Sequence, residues 1–307
     1  MQFASQTYTE RSCPACGGRT YAHFANECID PSKISNFTYA SRKQPEFMCQ
    51  RLVRCTECDL VYAPTPPTTD ILSTVYSQAA YDSGAEAEAA ALSYAKALVP
   101  YVSQLAGRNA AVDVGAGNGS LLPWLCESGF RPVIGIEPSL AAIDAAPATV
   151  RPMLREGMFS PTLLPDVKPS LLCSFMTLEH MANPCGFVNL AYELLEPGGM
   201  IAVVVHNWRA TLNRLLGLRS PIIDVEHLQL FSPKSVRTLL ERARFVSINL
   251  QLISNTYSLR YWLRLTPLPT GVKAQIAGVL DRVGLSDTQV SLRVGNMLAV
   301  GIKPLVE

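Results

Sequence analysis

From Ala110 to Leu122 the chain reads AAVDVGAGNGSLL. An apolar run with strand character meets glycines at 115, 117 and 119 and passes into an apolar helical start, so the backbone must turn sharply from strand to helix. This is the βα unit that binds nucleotides beyond the carboxyl end of a strand. Two cofactors compete for it. A dinucleotide site takes G-x-G-x-x-G, with its third glycine at the helix start, and here that position is Ser120. The spacing is G-x-G-x-G, with Asp113 two positions before the first glycine. A carboxylate there suits S-adenosylmethionine, whose ammonium and sulfonium are both positive, and would repel a diphosphate. Glycines at a strand end can also simply make a turn.

The next apolar run, VIGIEPS, ends in Glu137 about twenty residues on, where an acidic side chain accepts ribose hydroxyls. Glu137 serves either nucleotide, so an NAD-dependent oxidoreductase stays open on this residue. Beyond the glycine loop, short apolar runs alternate with helical stretches, which specifies a parallel sheet wrapped by helices. Strands are expected at 110–115, 131–137, 169–176, 200–206, 245–253 and 293–303. Helices are expected at 120–129, 139–146, 184–195 and 232–243, the last with Ser232 as N-cap and Pro233 at the first helical position. A helical insertion at about 256–286 separates the last two strands. In it, YSLRYWLRLTPL mixes aromatics with Arg260 and Arg264, and could pack in the core, cover an apolar acceptor, meet a membrane surface or form a dimer contact.

The N-terminal part is organised by cysteine. CPACGG (Cys13, Cys16) and RCTEC (Cys55, Cys58) are two C-x-x-C knuckles, a zinc-ribbon arrangement in which four thiolates close a tetrahedral shell around a structural Zn2+. Four ordinary buried cysteines are the alternative reading, and Cys28, Cys49 and His23 lie between the knuckles as substitutes that no spacing recommends. Cys126, Cys173 and Cys185 read as core or incidental residues. The prolines of APTPPTT mark a linker. The expected division is a zinc ribbon over 1–65, a helical arm over 66–106 that includes Tyr76 and Tyr81, and a nucleotide-binding domain over 107–307.

Composition narrows the partners. With 26 Lys and Arg against 25 Asp and Glu, the net charge of +1 offers no field to steer nucleic acid or an anionic membrane. No run of about eighteen apolar residues marks a membrane span, and no basic-then-apolar leader opens the chain. Nine cysteines is an odd count, better suited to metal ligands or small buried side chains than to disulfides. These features place the protein in the cytoplasm.

Taken together, CPACGG, RCTECDLVYAPTPP, VDVGAGNGSLL, VIGIEPS, MTLEHMANP, LLEPGGMIAVVVHN and EHLQLFSPKSVRTLLERARF resemble the class I S-adenosylmethionine-dependent methyltransferases, in particular a small-molecule branch with an N-terminal zinc ribbon. The resemblance implies an α/β, Rossmann-like, doubly wound seven-stranded sheet whose last strand is antiparallel. It carries cofactor contacts onto Asp113, Gly115, Ala116, Gly117, Gly119, Glu137 and Pro138. Where the family has an acidic residue after the third strand, this chain reads REGMFS, which leaves Met158 and Phe159 to meet the adenine. The implied acceptor is a small metabolite or biosynthetic intermediate. The neutral charge balance argues against a nucleic-acid or membrane partner, and the helical arm offers a surface for a homodimer.

If the acceptor is a hydroxyl or a protonated amine, a base is required. TLEH puts Glu179 and His180 after the fourth strand, His206 and Asn207 follow the fifth, and EHLQLF adds Glu226 and His227. Histidine suits base duty near neutral pH. His180, His227 and Glu179 are the candidates, each of which could instead hydrogen-bond a loop carbonyl or cap a helix. Two rivals stand beside this reading. An RNA methyltransferase would use Arg42, Lys43, Arg51 and Arg54 of the ribbon, and a binding module would lack turnover altogether.

Overall fold

The computed structural model describes residues 10–40, 45–82 and 84–305. Arg42 and Lys43 of the proposed basic set lie outside the described residues. The glycine turn follows β4 (Ala110–Val114) and leads into α3 (Leu122–Glu127); β5 (Val133–Glu137) and α4 (Leu140–Asp144) come next. A short strand that the sequence pattern did not list, β6 (Leu154–Glu156), lies at the sheet edge. The remaining strands are β7 (Pro169–Phe175), β8 (Met200–His206), β10 (Val246–Ser258) and β11 (Gln289–Ile302), and the order is β10-β11-β8-β7-β4-β5-β6. The strands from β8 to β6 are parallel. β11 runs antiparallel to β8, as expected for the last strand of this seven-stranded α/β fold.

The chain winds outward from β4 to β6 and then returns to β7, so the direction of winding reverses between β4 and β7. Open α/β sheets form their ligand crevice at such a switch, beyond the carboxyl ends of the strands.

Both faces of the sheet are covered, which explains why its central strands are almost uniformly apolar. On one face, Val112, Val114, Ile134 and Val203 pack with α5 (Pro184–Leu194) and α7 (Pro233–Arg242). On the other, Ala111, Leu171, Ala202 and Val204 meet α2 (Gly84–Val102). Each fully buried Leu, Ile or Val contributes about 1.5–3 kcal/mol. Ser232 and Ser235 form a reciprocal capping box at the start of α7, worth about 1 kcal/mol.

The stretch read as an arm is two helices, α1 (Thr69–Ser77) and α2. α2 is bound to the sheet rather than projecting from it: Tyr94 and Leu98 are buried, and the Tyr101 hydroxyl donates to Asn249 and Gln251 of β10. The insertion begins later than its pattern suggests, because β10 runs on to Ser258 before α8 (Leu259–Leu265) and α9 (Thr270–Arg282).

The cysteine segment forms β1 (Tyr21–Ala25), β2 (Leu52–Cys55) and β3 (Val61–Tyr62), with the two knuckles at one end. This sheet has a fourth strand from far along the chain. β9 (Gln229–Leu230) pairs antiparallel with β3 through Val61↔Leu230 and Tyr62↔Gln229. Trp208 Nε1 donates to the Asp59 carbonyl at 3.0 Å, and Arg209 forks onto the Asp59 carboxylate at 2.6 and 2.8 Å. Val61, Trp208, Ile222, Ile223 and Leu230 share one small core.

Candidate active site

At the switch point a cavity of about 1080 Å³ opens. That exceeds what one small ligand commonly fills, where pockets run to about 300–1,000 Å³. Its inner end is the glycine turn. All three glycines there have positive φ, yet they do different things. A Cβ on Gly115 would lie 2.2 Å from Thr177 Oγ1, and one on Gly119 would lie 2.5 Å from Val150. A Cβ on Gly117 would meet nothing within 4 Å. Packing therefore requires the outer two glycines, and the middle one faces the cavity. Gly119 itself is not part of the lining.

We expect this to separate two variants. Gly115→Ala should lower stability by about 2–3 kcal/mol, an overpacking cost, and Thr177→Ala, which removes the clashing Oγ1 and Cγ2, should recover part of it. Gly117→Ala should cost only about 1 kcal/mol for its strained φ and weaken cofactor binding about tenfold by filling the open space. Thermal melts and calorimetry check both; equal effects on stability would contradict the assignment.

Asp113, near the end of β4, is buried and lines the cavity, and its Oδ1 has no hydrogen-bond partner among the described residues. Burial, with the nearby Glu137 charge, pushes its carboxyl up to about 7. Glu137 accepts from Gly117 N–H and Ser139 N–H, both at 2.8 Å, which locks the turn against the end of β5. Its own pKa is raised by burial, partly offset by those two donors. Pro138, Met158 and Phe159 complete this end, with Phe159 edge-on to Phe187 at 5.2 Å. An adenosyl group with a cationic sulfur fits such a set: a buried carboxylate oxygen with no partner among the described residues, a second carboxylate on the strand next to the edge, and an apolar slot.

The middle of the cavity holds three histidines. His180 and His227 have ring centroids 4.9 Å apart, and His206 and His227 are 5.2 Å apart. His180 Nδ1 lies 3.5 Å from Glu226 Oε2. His227 Nδ1 is 2.9 Å from the Ile222 carbonyl, which only accepts, so that nitrogen carries the proton and Nε2 is the acceptor in the neutral ring. His206 Nδ1 donates to Asn296 Oδ1 at 3.1 Å, and burial pushes its pKa down to about 3. It stays neutral and is a poor base. Tyr76 stands edge-on to His180 at 6.1 Å; its buried hydroxyl has no partner among the described residues.

Glu179 departs from the expected role. It is 0% exposed and absent from the lining, and its Oε1 accepts the backbone N–H of His206. Burial pushes it up to about 8, and it anchors the end of β8 from behind. The residue that sequence reasoning missed is Gln229. Its Nε2 donates to the carbonyls of Leu178 at 2.6 Å and Met181 at 2.9 Å, while its Oε1 takes a hydrogen bond from Arg11 at 3.1 Å. One buried amide thus ties the turn that carries His180 to the strand that follows His227. Only the acidic EH pair upstream drew attention to that segment; a lone Gln carries no signal.

Cys13, Cys16, Cys55 and Cys58 come together, with Sγ atoms 3.4 Å apart for Cys13 and Cys58 and 3.5 Å for Cys16 and Cys55. Sulfurs on a tetrahedral Zn2+ at ~2.3 Å are ~3.8 Å apart, so the cluster is close to the size a zinc ion needs. Cys28, Cys49 and His23 are not part of it. Cys49 donates to the Asn26 carbonyl instead.

A sequence profile described as a methyltransferase domain matches residues 87–250, just over half of the chain. The chain belongs to this family of S-adenosylmethionine-dependent methyltransferases. No curated protein matches the methyltransferase by sequence. Among solved structures it is similar to a Thermotoga maritima methyltransferase named as a possible histamine N-methyltransferase, at 19% identity and TM-score 0.47, over 71% of this chain and 91% of that one. It is also similar to an Archaeoglobus fulgidus S-adenosylmethionine-dependent methyltransferase, at 16% identity and TM-score 0.48, over 69% and 94% of the two chains. A third is the Haemonchus contortus phosphoethanolamine N-methyltransferase 2 bound to S-adenosylmethionine, at 11% identity and TM-score 0.43, over 69% and 52%.

Proposed function

We propose that this methyltransferase acts on a small molecule, with Asp113, Gly117 and Glu137 holding the cofactor, His180 taking the acceptor proton, and a structural zinc in the four-cysteine cluster. The observation that carries the reading is the buried, unpartnered Asp113 oxygen facing the same cavity as the His180–Glu226 pair. S-adenosylmethionine, when bound, supplies an electrophilic methyl carbon on a cationic sulfur. Asp113 offsets that charge, Glu137 has lone pairs left for ribose hydroxyls, and Met158 and Phe159 give the adenine an apolar seat. A proton leaving an acceptor hydroxyl or ammonium passes to His180, and Glu226 behind its Nδ1 stabilises the imidazolium. His227, with its tautomer set by Ile222, presents an acceptor nitrogen that orients the substrate. Alignment and exclusion of water contribute the rest of the acceleration.

Residues 10–65 would act as a scaffold in this reading. Two of its arginines are already engaged, Arg51 with Glu10 at 2.5 Å and Arg54 with Asp59 at 4.0 Å, which favours a metabolite over RNA as acceptor. Among the described residues no helix is long and apolar enough to cross a membrane.

The test is the pH dependence of cofactor affinity. Asp113 is protonated below about 7 in the ligand-free protein, whereas a cationic ligand binds its ionised form. Affinity should therefore rise with pH, by up to about tenfold per unit below pH 7, and level off above, with proton release on binding. Asp113→Asn should remove the slope and leave binding about tenfold weaker at pH 7.5. Calorimetry in buffers of different ionisation enthalpy measures both; a flat profile from pH 5.5 to 7.5 would refute the role.

A further inference from the structure

Beyond the histidines the cavity continues into a chamber whose wall is the insertion. Tyr257, Tyr261, Trp262, Leu263, Leu280 and Val294 line it, and every residue that α8, α9 and β11 contribute to the lining is uncharged. The cations of this segment turn away: Arg260 pairs with Asp281 at 2.6 Å, Arg264 with Asp82 at 3.7 Å, and Lys273 Nζ donates to the Arg264 carbonyl at 2.7 Å. Trp262 Nε1 is satisfied by the Val290 carbonyl at 2.9 Å, so the indole offers the chamber no unmet polar group. At the mouth, Leu212, Ile276 and Leu292 line the cavity while remaining 43%, 37% and 41% exposed. An apolar entrance leads to an apolar chamber that ends at the proton-accepting cluster.

We infer that the acceptor is an amphipathic molecule with an extended lipophilic body, an acyl chain or a fused aryl system, carrying its methyl-accepting polar group at one end. The lipophilic body lies against the insertion, and the polar end reaches His180 and His227. The inference rests on the methyltransferase reading for the second half of this assignment, but the chamber's preference can be measured alone. Desolvating the apolar body drives entry, while a phosphate placed in the chamber would meet no cationic side chain among the residues that the insertion contributes to the lining.

The test uses the full-length protein and N-phenyl-1-naphthylamine, a neutral lipophilic fluorophore, titrated with and without saturating S-adenosylhomocysteine. We expect saturable uptake of one probe per chain in both cases. Ile276→Glu, on the exposed face of α9, and Leu292→Glu, at the rim, should each weaken uptake at least tenfold while leaving S-adenosylhomocysteine affinity within twofold. That retained affinity also reports that both variants fold. Absence of saturable uptake, or uptake indifferent to both substitutions, overturns the inference; so does competition of the probe by uridine diphosphate. Failure of S-adenosylhomocysteine to bind would sink the cofactor assignment instead, and the probe titration would still decide the chamber.

Discussion

His180→Asn is expected to lower turnover by about 10²–10⁴-fold, the usual loss on removing a general base, while S-adenosylmethionine affinity stays within twofold. The reason is positional. His180 lies on the turn after β7 and is held by Gln229 through the Leu178 and Met181 carbonyls, whereas the cofactor end rests on β4 and β5. Asparagine keeps a polar, smaller side chain and removes only the titrating ring. Glu226→Gln should cost less, about 10–100-fold, because it weakens stabilisation of the imidazolium without removing the base. Release of S-adenosylhomocysteine with an accepted substrate measures both. Unchanged turnover in His180→Asn would transfer the role to His227, whose Asn variant serves as the paired control.

The second large effect is expected from the cysteine cluster, although it lies outside the cavity. Cys55→Ser should abolish stoichiometric zinc and unfold β1–β3, since metal binding in such small units supplies about 10–16 kcal/mol that is also their folding energy. The consequence travels through β9. With β3 gone, Gln229–Leu230 lose their strand partner, and the clamp between the His180 turn and the segment carrying Glu226 and His227 loosens. Turnover should fall at least a hundredfold, as a misplacement of about 1 Å is enough. S-adenosylhomocysteine affinity should change less than threefold, because β4, β5 and the glycine turn belong to the other sheet. Elemental analysis, calorimetry and kinetics on one preparation check the set. A zinc-free variant with normal turnover would show that the cluster supports nothing in the site.

How legible was this in the sequence? Signals that act within a few residues were readable. The glycine turn, the acidic end of β5, the N-cap at Ser232 and the paired C-x-x-C knuckles each depend on local geometry, and each lies where its spacing placed it. The same rule explains the misses. β6 is three residues long, too short for any alternation to register. Gly119 reads as a ligand contact, yet it does not line the cavity, and its demand comes from Val150, which only the folded sheet brings near. Glu179 and His180 are neighbours in sequence with the same polar signature. The turn after β7 sends one inward, where its oxygen meets the His206 N–H, and the other to the cavity.

What the sequence settled alone was the sheet with its glycine turn and the four thiols, because strand alternation, positive φ and ligand spacing are properties of short segments. What only tertiary structure decided was the histidine end of the cavity. There Glu226 and His227 face His180, β9 closes the cysteine sheet, and Gln229 bridges them. Those contacts join residues far apart in the chain, and their geometry is set by the pairing and burial of whole elements. No local pattern encodes that.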